Sequence, residues 1–250
     1  MLLRLDNIGK IYNSNDLLVV GIRGINLSFD YNEFVTIEGE SGSGKSTLLN
    51  VIGANDTYEE GELWFNDMET SHYSEDDWEK YRENNIATIF QDFNIIDNLT
   101  TVENVELALF RLDETKERRK VALELLEQVG LTKQANQRAS KLSGGEKQRC
   151  VIARALAKDA PIIVLDEATA NVDPENEKDI VEAINALTKD KTIIMIAHRL
   201  KTVQHADNII VIDKGRVVQS GTHEELEAQD GIYQSFIHAR EKATSWKISE

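Results

Sequence analysis

Short apolar runs alternate with amphipathic stretches along the 250 residues of the chain. A period of two between apolar and polar positions predicts three early strands, over residues 3–5, 25–29 and 34–37. After a glycine-rich segment, Leu48, Leu49 and Ile52 recur at helical spacing and predict a helix over 45–53. The first part of the chain is completed by three further predicted elements: a strand over 61–67, a helix over 74–84 capped by Ser74, and a strand over 86–90.

A block of helices follows, from Asp92 to about Lys158. Thr100 and Glu103 have the spacing of a capping box, in which the two side chains satisfy free amides at a helix start. This capping box opens the first predicted helix of the block, which runs through 102–110. Amphipathic periodicity predicts a second helix over 116–130 and a third over 145–159. The pattern therefore predicts a helical insertion between strands.

Strands and helices alternate again after this block. The unbroken apolar run 162–165 predicts a strand that is covered on both faces, at the centre of a largely parallel sheet. A second buried strand is predicted over 192–198 and a terminal hairpin over 208–221. Further helices are predicted to begin at Asp173 with Pro174, at Thr222 with Glu225, and at residue 231. The result is an α/β domain interrupted by a helical insertion.

Composition excludes several classes of function. The net charge of −16 and a pI near 4.8 argue against a surface that grips nucleic-acid backbones, although a small basic pocket stays possible. The single cysteine, Cys150, allows no intrachain disulfide and is typical of a reducing compartment. The first residues lack the pattern of a signal peptide, and no apolar run approaches the roughly 18 residues that span a bilayer. We therefore expect any membrane role to be peripheral.

The segment GESGSGKST, from Gly39 to Thr47, carries the clearest chemistry. Gly39, Gly44, Lys45 and Ser46 have the spacing of a phosphate-binding loop, and a predicted strand and helix flank them. Glycines let the loop amides turn inward toward an anion at the positive end of a helix. Lys45 would reach the β- and γ-phosphates, and the Ser46 hydroxyl would bind Mg²⁺. The loop predicts binding of a nucleoside triphosphate.

Two carboxylates directly follow the predicted strand 162–165. Open α/β sheets place ligands at the carboxyl ends of their strands, which is where Asp166 and Glu167 lie in the sequence. Asp166 would hold Mg²⁺, directly or through water, and Glu167 would polarise the attacking water as a general base.

The sequence LSGGEKQR, residues 142–149, together with this loop makes the chain resemble the ATP-binding cassette family, the nucleotide-binding domain of ABC transporters. The resemblance extends from Leu2 to about Arg240. It implies a P-loop cassette with a mixed or parallel core sheet, an N-terminal antiparallel β subdomain and an inserted helical subdomain. The implied domain division is one ATPase domain over 1–250, with an α/β core over 1–91 and 159–220, a helical subdomain over 92–158 and C-terminal helices over 221–250.

The resemblance also implies roles for individual residues. Tyr12 looks like the aromatic residue that stacks on adenine, and the segment after it, 13–21, is predicted as a loop. Gln91 looks like the glutamine that senses Mg²⁺, His198 like the switch histidine near the γ-phosphate, and Asp173 like the aspartate that acts across the dimer. The expected nucleotide contacts are Gly39, Glu40, Ser41, Gly42, Ser43, Gly44, Lys45, Ser46 and Thr47 in one chain, with Ser143, Gly144, Gly145 and Glu146 acting on the ATP of a second chain.

Partners and location follow from the same resemblance. It implies an ATP-dependent head-to-tail homodimer, or pairing with another ABC subunit, around two ATP molecules, with Mg²⁺ as the metal. It further implies a transmembrane permease subunit or domain and a peripheral position on the cytoplasmic face of the membrane. The acidic net charge predicts no nucleic-acid partner. The residues Ala170, Asn171, Val172 and Asp173 resemble cassettes with separate permeases, whereas the residues DEAT, 166–169, resemble fused exporters.

Several functions share these motifs. The first expectation is an ATPase subunit that powers export of a peptide, lipid or hydrophobic compound. The alternative is a soluble cassette of an assembly or chaperone system, of the iron–sulfur cluster type. A DNA-repair or translation cassette is disfavoured by the acidic charge and by the lack of sustained heptads. A non-hydrolytic binding module is disfavoured by the presence of both Glu167 and His198.

Overall fold

The computed structural model describes residues 1–14, 17–90, 92–166, 190–197 and 203–247. These residues form two compact units, one containing Met1–Glu79 and Thr192–Glu250 and the other containing Lys80–Lys191. The strands of the described part are β1 (Leu3–Ser14), β2 (Leu17–Phe29), β3 (Phe34–Glu38), β4 (Glu60–Phe65), β5 (Met68–Glu69), β6 (Ile86–Ile89), β7 (Ile162–Leu165), β8 (Thr192–Ile196), β9 (Asn208–Asp213) and β10 (Arg216–Gly221). Its α-helices are α1 (Lys45–Ile52), α2 (Glu75–Asn85), α3 (Thr101–Glu106), α4 (Thr115–Gln128), α5 (Gly144–Lys158), α6 (His223–Glu227) and α7 (Ile232–Lys247).

The first unit contains an antiparallel sheet with the strand order β2-β1-β4-β5. Its long hairpin pairs Leu3 with Phe29 at one end and Ser14 with Leu17 at the other. The prediction of a loop over 13–21 is therefore wrong for residues 13–14 and 17–21, and the predicted strands 3–5 and 25–29 are too short. Register shifts after Leu5 and Ile8 interrupt the alternation of apolar and polar positions, so the period of two ends before the strands do.

The same unit contains a parallel arrangement around β3. This strand pairs in parallel with β8 on one side and β9 on the other, and β10 pairs antiparallel with β9. Every residue of β8 is buried, as are Val35 and Ile37 of β3 and Ile209–Ile212 of β9, since parallel strands are covered on both faces. Because Ile37 lies opposite both Ile196 and Ile210, β3, β8 and β9 end at one edge of the sheet.

The second unit combines the parallel pair β6–β7 with the helices α3, α4 and α5. Thr100 and Glu103 form the predicted capping box at the start of α3, which confirms that prediction. Cys150 of α5 is fully buried, with its Sγ atom 3.8 Å from the Thr101 carbonyl oxygen. Burial raises the pKa of the Cys150 thiol to about 12. Along the chain, α3, α4 and α5 lie between β6 and β7, so the helical block between strands is present as predicted.

Both units share the α/β character that the sequence pattern predicts, with an antiparallel β layer in the first unit and the helical block in the second. Among the described helices, none combines the length and the apolar character that a membrane crossing requires.

Candidate functional site

The glycine-rich loop joins the end of β3 to the start of α1. Gly44 is the residue before the first helical turn, and its backbone is left-handed, with φ 108°. A side chain there would lie 2.5 Å from the Gly21 carbonyl oxygen of β2. A Cβ at Gly39 would overlap the Ile212 carbonyl oxygen of β9. The loop is therefore held tightly between two strands, and only glycine fits at both of these positions.

The turn between β9 and β10 supports the loop from the other side. The Gly215 amide donates to the Ser43 carbonyl oxygen at 2.8 Å, and the Arg23 amide of β2 donates to the Gly215 carbonyl oxygen at 2.7 Å. The Ser43 amide donates to the Glu40 carbonyl oxygen at 3.2 Å and closes the loop on itself. These bonds fix the backbone before any ligand arrives, which favours binding of an anion by preorganised amides.

Lys45 is buried in this loop with only 7% of its surface exposed. Its Nζ atom donates to the carbonyl oxygens of Gly39 and Glu40 at 2.9 and 2.8 Å. An ammonium group held at a glycine-rich loop by carbonyl oxygens can exchange these acceptors for phosphate oxygens. Ser43 is also buried, and its Oγ atom has no hydrogen-bond partner among the described residues.

The remaining loop residues are exposed or half-buried along the loop and the first turn of α1. Glu40, Ser41 and Gly42 are exposed along the loop, and Ser46 is exposed on the first turn of α1. Thr47 is half-buried beside it. An exposed hydroxyl at a helix start suits a hard cation such as Mg²⁺, which prefers oxygen ligands.

Tyr12 of β1 lies close to this loop. A Cβ added at Gly21 would be 2.9 Å from Tyr12 Cε2 and 3.0 Å from Thr47 Cγ2, so these two side chains flank the same glycine. The Tyr12 hydroxyl donates to Asp56 Oδ2 at 2.9 Å. The structure thus brings Tyr12 and the phosphate loop together within the first unit.

The second unit holds the predicted acidic strand end. β6 and β7 run in parallel with Ile89 opposite Leu165, and the Asp166 amide donates to the Ile89 carbonyl oxygen at 3.0 Å. Asp166 therefore follows β7 at the carboxyl end of this strand pair, as the sequence predicts. Gln91, Glu167, Asp173 and His198 lie outside the described residues.

The signature segment begins α5. Ser143 is the capping residue: its Oγ accepts from the Glu146 amide at 3.3 Å, and Glu146 Oε2 accepts from the Ser143 amide at 2.8 Å. Glu146 Oε1 also accepts from Gln134 Nε2 at 2.8 Å. Ser143 and Gly144 are exposed, whereas Gly145 is buried.

The electrostatics of Glu146 support this cap. Burial alone would raise the pKa of its carboxyl group, but hydrogen bonds from Ser143 and Gln134 outweigh burial, and the pKa is lowered. The ionised carboxylate is engaged on both oxygens inside its own unit. Glu146 therefore supports the helix start that presents Ser143 and Gly144 to solvent.

Sequence reasoning missed the residues that surround Tyr12. Lys10, Asp56 and Glu59 form a charged cluster with it, and Gly21 and Gly215 provide close backbone approach to the loop. Lys10 precedes Tyr12 by two positions in a strand, which places both on one face and is a usable signal. Asp56 and Glu59 come from a turn more than 40 residues away, and no local pattern marks them.

Comparison with known proteins adds independent findings. A family model described as ABC transporter matches residues 22–170. The chain is 38% identical over 223 residues to an uncharacterized ABC transporter ATP-binding protein of Methanocaldococcus jannaschii, covering 86% of this chain and 95% of that protein. A solved dimeric structure of the same archaeal cassette, in a post-hydrolysis state with ADP and phosphate, superposes with a TM-score of 0.82 at 36% identity. That superposition covers 88% of this chain and 98% of the archaeal one.

A longer relative is the macrolide export ATP-binding/permease protein MacB of Chlorobaculum tepidum. It is 34% identical over 238 residues, which are 95% of this chain and 37% of that protein. The chain thus spans about a third of the length of this relative, and nearly the whole length of the archaeal cassette.

Proposed function

The chain belongs to the ABC transporter family, as a nucleotide-binding cassette, and from this premise we propose that it hydrolyses ATP to power transport across a membrane. The observation that carries the proposal is the preorganised loop Gly39–Thr47, with the ammonium of Lys45 buried inside it. Hydrolysis gives ADP and phosphate, and the energy is used in a transmembrane domain that is either separate from this chain or fused to it.

Each predicted site residue has a role in this proposal. Lys45 exchanges its bonds to the Gly39 and Glu40 carbonyl oxygens for bonds to the β- and γ-phosphates of ATP. Ser46, Gln91 and Asp166 would hold Mg²⁺, which neutralises developing charge on the phosphates. Glu167 orients the attacking water as a general base, and His198 contacts the γ-phosphate. Tyr12 stacks on the adenine.

His198 and Glu167 each follow a strand end that the structure describes. β8 ends beside β3 at the edge where the phosphate loop begins, and His198 is the second residue after β8. Glu167 follows Asp166 at the end of β7. These positions at the carboxyl ends of parallel strands support the assigned roles.

A second copy of the chain completes the proposed site. Ser143 and Gly144 are exposed at the start of α5, where free amides and the helix dipole favour an anion. The dimeric state of the archaeal cassette supports a two-fold arrangement in which each signature segment faces the ATP of the partner. Gly145 packs the helix start, and Glu146 holds its cap. ATP then joins two copies, and hydrolysis releases them.

The proposed membrane partner is a permease subunit or domain, and the chain would sit against it on the cytoplasmic face. MacB, which combines ATP-binding and permease parts by name, supports this partner and favours an exporter of a peptide, lipid or hydrophobic compound. In the second unit Ile96, Leu107 and Phe110 are each about half exposed and offer apolar contacts to such a partner. The transporter names of both relatives favour this function over a soluble assembly ATPase.

The test is static light scattering of the wild type and of Glu167→Gln, each with and without Mg·ATP, beside an ATPase assay of the same samples. We expect ATP to double the mass of Glu167→Gln while the wild type turns over. Lys45→Ala, the control, should neither bind ATP tightly nor dimerise. A Glu167→Gln protein that stays monomeric at saturating Mg·ATP would contradict the shared-site dimer, and a wild type without ATPase activity would contradict the enzyme assignment.

A further inference from the structure

A buried lysine lies beside Tyr12 and takes no part in the function proposed above. Lys10 of β1 is 6% exposed, although lysine is rarely buried unless it is paired. Its Nζ atom lies 2.9 Å from Asp56 Oδ1, 2.9 Å from Glu59 Oε1 and 3.3 Å from Thr57 Oγ1. Three acceptors match the three protons of the ammonium group. We call these four residues the Lys10 cluster.

Asp56 links the Lys10 cluster to Tyr12. Its Oδ1 atom binds Lys10 and accepts from the Thr57 amide at 2.8 Å, while its Oδ2 atom accepts from the Tyr12 hydroxyl at 2.9 Å. Both carboxylate oxygens of Asp56 therefore have hydrogen-bond partners, and the position of the Tyr12 hydroxyl is fixed by its bond to a charged group. A charge-assisted bond of this kind is stronger and more directional than one between neutral groups.

Glu59 fixes the strand that carries Tyr12. Its Oε2 atom accepts from the Ile11 amide at 2.8 Å, and its own amide donates to the Gly9 carbonyl oxygen at 2.9 Å. The turn after α1 thus holds β1 by its backbone on both sides of Lys10. The Lys10 ammonium also lies over the Tyr12 ring, 5.3 Å from its centroid, so one ring face is occupied by a cation.

The helix α1 connects the phosphate loop to the turn that holds Tyr12. α1 begins at Lys45 and ends at Ile52, and the turn with Asp56 and Glu59 follows directly. Tyr12 and Thr47 both contact the position of Gly21. The Tyr12 ring thus contacts residues near both ends of α1. These contacts fix the distance between the ring and the phosphate loop.

We propose that the Lys10 cluster positions Tyr12 for the base of the nucleotide, and so sets the fixed spacing between the base and the phosphate loop. Lys10, Asp56 and Glu59 are positioning residues, which act through Tyr12 and touch no reacting atom. The inference rests on the proposed nucleotide function and adds a determinant of base recognition to it. The ring face opposite the Lys10 ammonium takes a planar heteroaromatic base, since base–aromatic stacking needs a ring in a defined plane.

The experiment measures binding of two ligands to the full chain by calorimetry: Mg·ATP, and inorganic tripolyphosphate, which has the phosphates without the base. We expect Lys10→Met and Asp56→Asn to weaken ATP binding about fivefold and to leave tripolyphosphate binding within about 1.5-fold, because the phosphate loop is intact. In the ATPase assay the KM for ATP should rise while kcat at saturating ATP is retained.

Two further variants sharpen the test. Lys10→Arg keeps a cation with several donors and should restore ATP affinity to within about twofold. Arg4→Met is the matched control, because Arg4 lies on the same strand, pairs with Asp6 at 3.0 Å and lies 4.6 Å from the Trp64 ring. It should change neither affinity. Thermal unfolding of every variant identifies any that fails to fold.

The outcomes separate this inference from the proposed function. Equal weakening of ATP and tripolyphosphate would show that the cluster merely supports the loop, and unchanged ATP binding would show that it does nothing for the base; either result overturns the inference. If wild type and Tyr12→Ala bind ATP equally, Tyr12 does not contact the base, and the inference fails while the phosphate-loop function stands. If the wild type binds neither ligand, the proposed function fails as well.

Discussion

Individual glycines in the phosphate loop differ in what they would tolerate. Gly44 has φ 108°, and a Cβ added there would lie 2.5 Å from the Gly21 carbonyl oxygen. Gly42 has φ 78°, and a Cβ added there would have no atom beyond its chain neighbours within 4 Å. Gly44→Ala therefore adds a steric clash to an unfavourable backbone conformation, and Gly42→Ala adds the backbone cost alone. Left-handed backbone costs an alanine about 1–2 kcal/mol.

We expect Gly42→Ala to lose about 1 kcal/mol of unfolding free energy, and Gly44→Ala to lose at least twice that. Urea denaturation of both variants measures the difference, and ATP titration should show a loss of binding for Gly44→Ala. Equal losses of stability would indicate that the β2 backbone moves away from the loop.

The charge on Asp56 gives the Lys10 cluster a dependence on pH. Burial alone would raise the pKa of this carboxyl group, but hydrogen bonds from Lys10, Tyr12 and the Thr57 amide lower it below the ordinary value of 3.8. Its contribution to stability is therefore complete above the ordinary pKa and is lost as pH falls through the lower folded pKa. In Asp56→Asn, the difference in unfolding free energy between neutral pH and about pH 3 should be smaller than in the wild type.

Urea denaturation of the wild type and Asp56→Asn across this range checks the prediction. Glu69→Gln is a positive control: Glu69 lies outside the cluster but also has a lowered pKa, with the Ser71 hydroxyl as the first cause, so its replacement should reduce the pH dependence in the same direction. Parallel pH curves for wild type and Asp56→Asn would contradict the assigned charge interaction.

The phosphate loop could be predicted at this scale, and the Lys10 cluster could not. Nine contiguous residues, Gly39–Thr47, specify the loop, because its backbone conformation depends on local glycines. Lys10 and Asp56 are 46 positions apart, and the contact forms only after β1 and the turn after α1 pack together. From sequence alone, a charged residue in a strand is assigned to the solvent-facing side, because its distant partner is not known.

Three helices begin with the same local device. Thr100, Ser143 and Thr222 each accept from the amide of a glutamate three residues later, and that glutamate accepts from the amide of the capping residue. The first and third were predicted from spacing as capping boxes. Because the device needs only residues i and i+3, sequence alone was sufficient for it.

Alanine at each capping residue should cost about 1 kcal/mol of unfolding free energy, since one helix amide loses its acceptor. Chemical denaturation of Thr100→Ala, Ser143→Ala and Thr222→Ala measures this. Only Ser143→Ala should also reduce ATP-driven dimerisation, in a Glu167→Gln background. A similar loss of dimerisation in Thr222→Ala would assign the effect to general instability and remove the special role of Ser143.

The long hairpin marks the limit of pattern reasoning for elements. β2 begins with Leu17, Leu18, Val19 and Val20, all of which are exposed, so its apolar residues do not alternate with polar ones. Pairing with β1 rather than burial defines this part of the strand. Periodicity reports burial, and it carries no signal where a strand is held by backbone hydrogen bonds alone.

At the scale of the whole molecule, the net charge of −16 opposes the association of two copies. Raising the salt concentration from about 0.1 M to about 1 M shortens the Debye length from about 10 Å to about 3 Å and screens this repulsion. At saturating Mg·ATP we therefore expect Glu167→Gln dimers to become severalfold tighter over this range.

Analytical ultracentrifugation at both salt concentrations measures the dimer affinity. The control is ATP binding to wild-type monomer, which should weaken with salt because Lys45 attracts phosphate. A dimer that weakens with salt would indicate that complementary charges across the interface outweigh the net repulsion.

The burial of Cys150 has a practical consequence. A thiol with a pKa of about 12 and no exposed surface supplies almost no thiolate at neutral pH, so maleimide reagents should leave the native chain unlabelled and react only after unfolding. Since the sequence contains no other cysteine, thiol-reactive dyes should not label the native wild type, and a single introduced cysteine can be labelled specifically. A cysteine introduced at Leu18, which is 72% exposed and pairs with Asn13 next to Tyr12, would carry a fluorophore within reach of the base. Nucleotide exchange could then be followed in real time without altering the core.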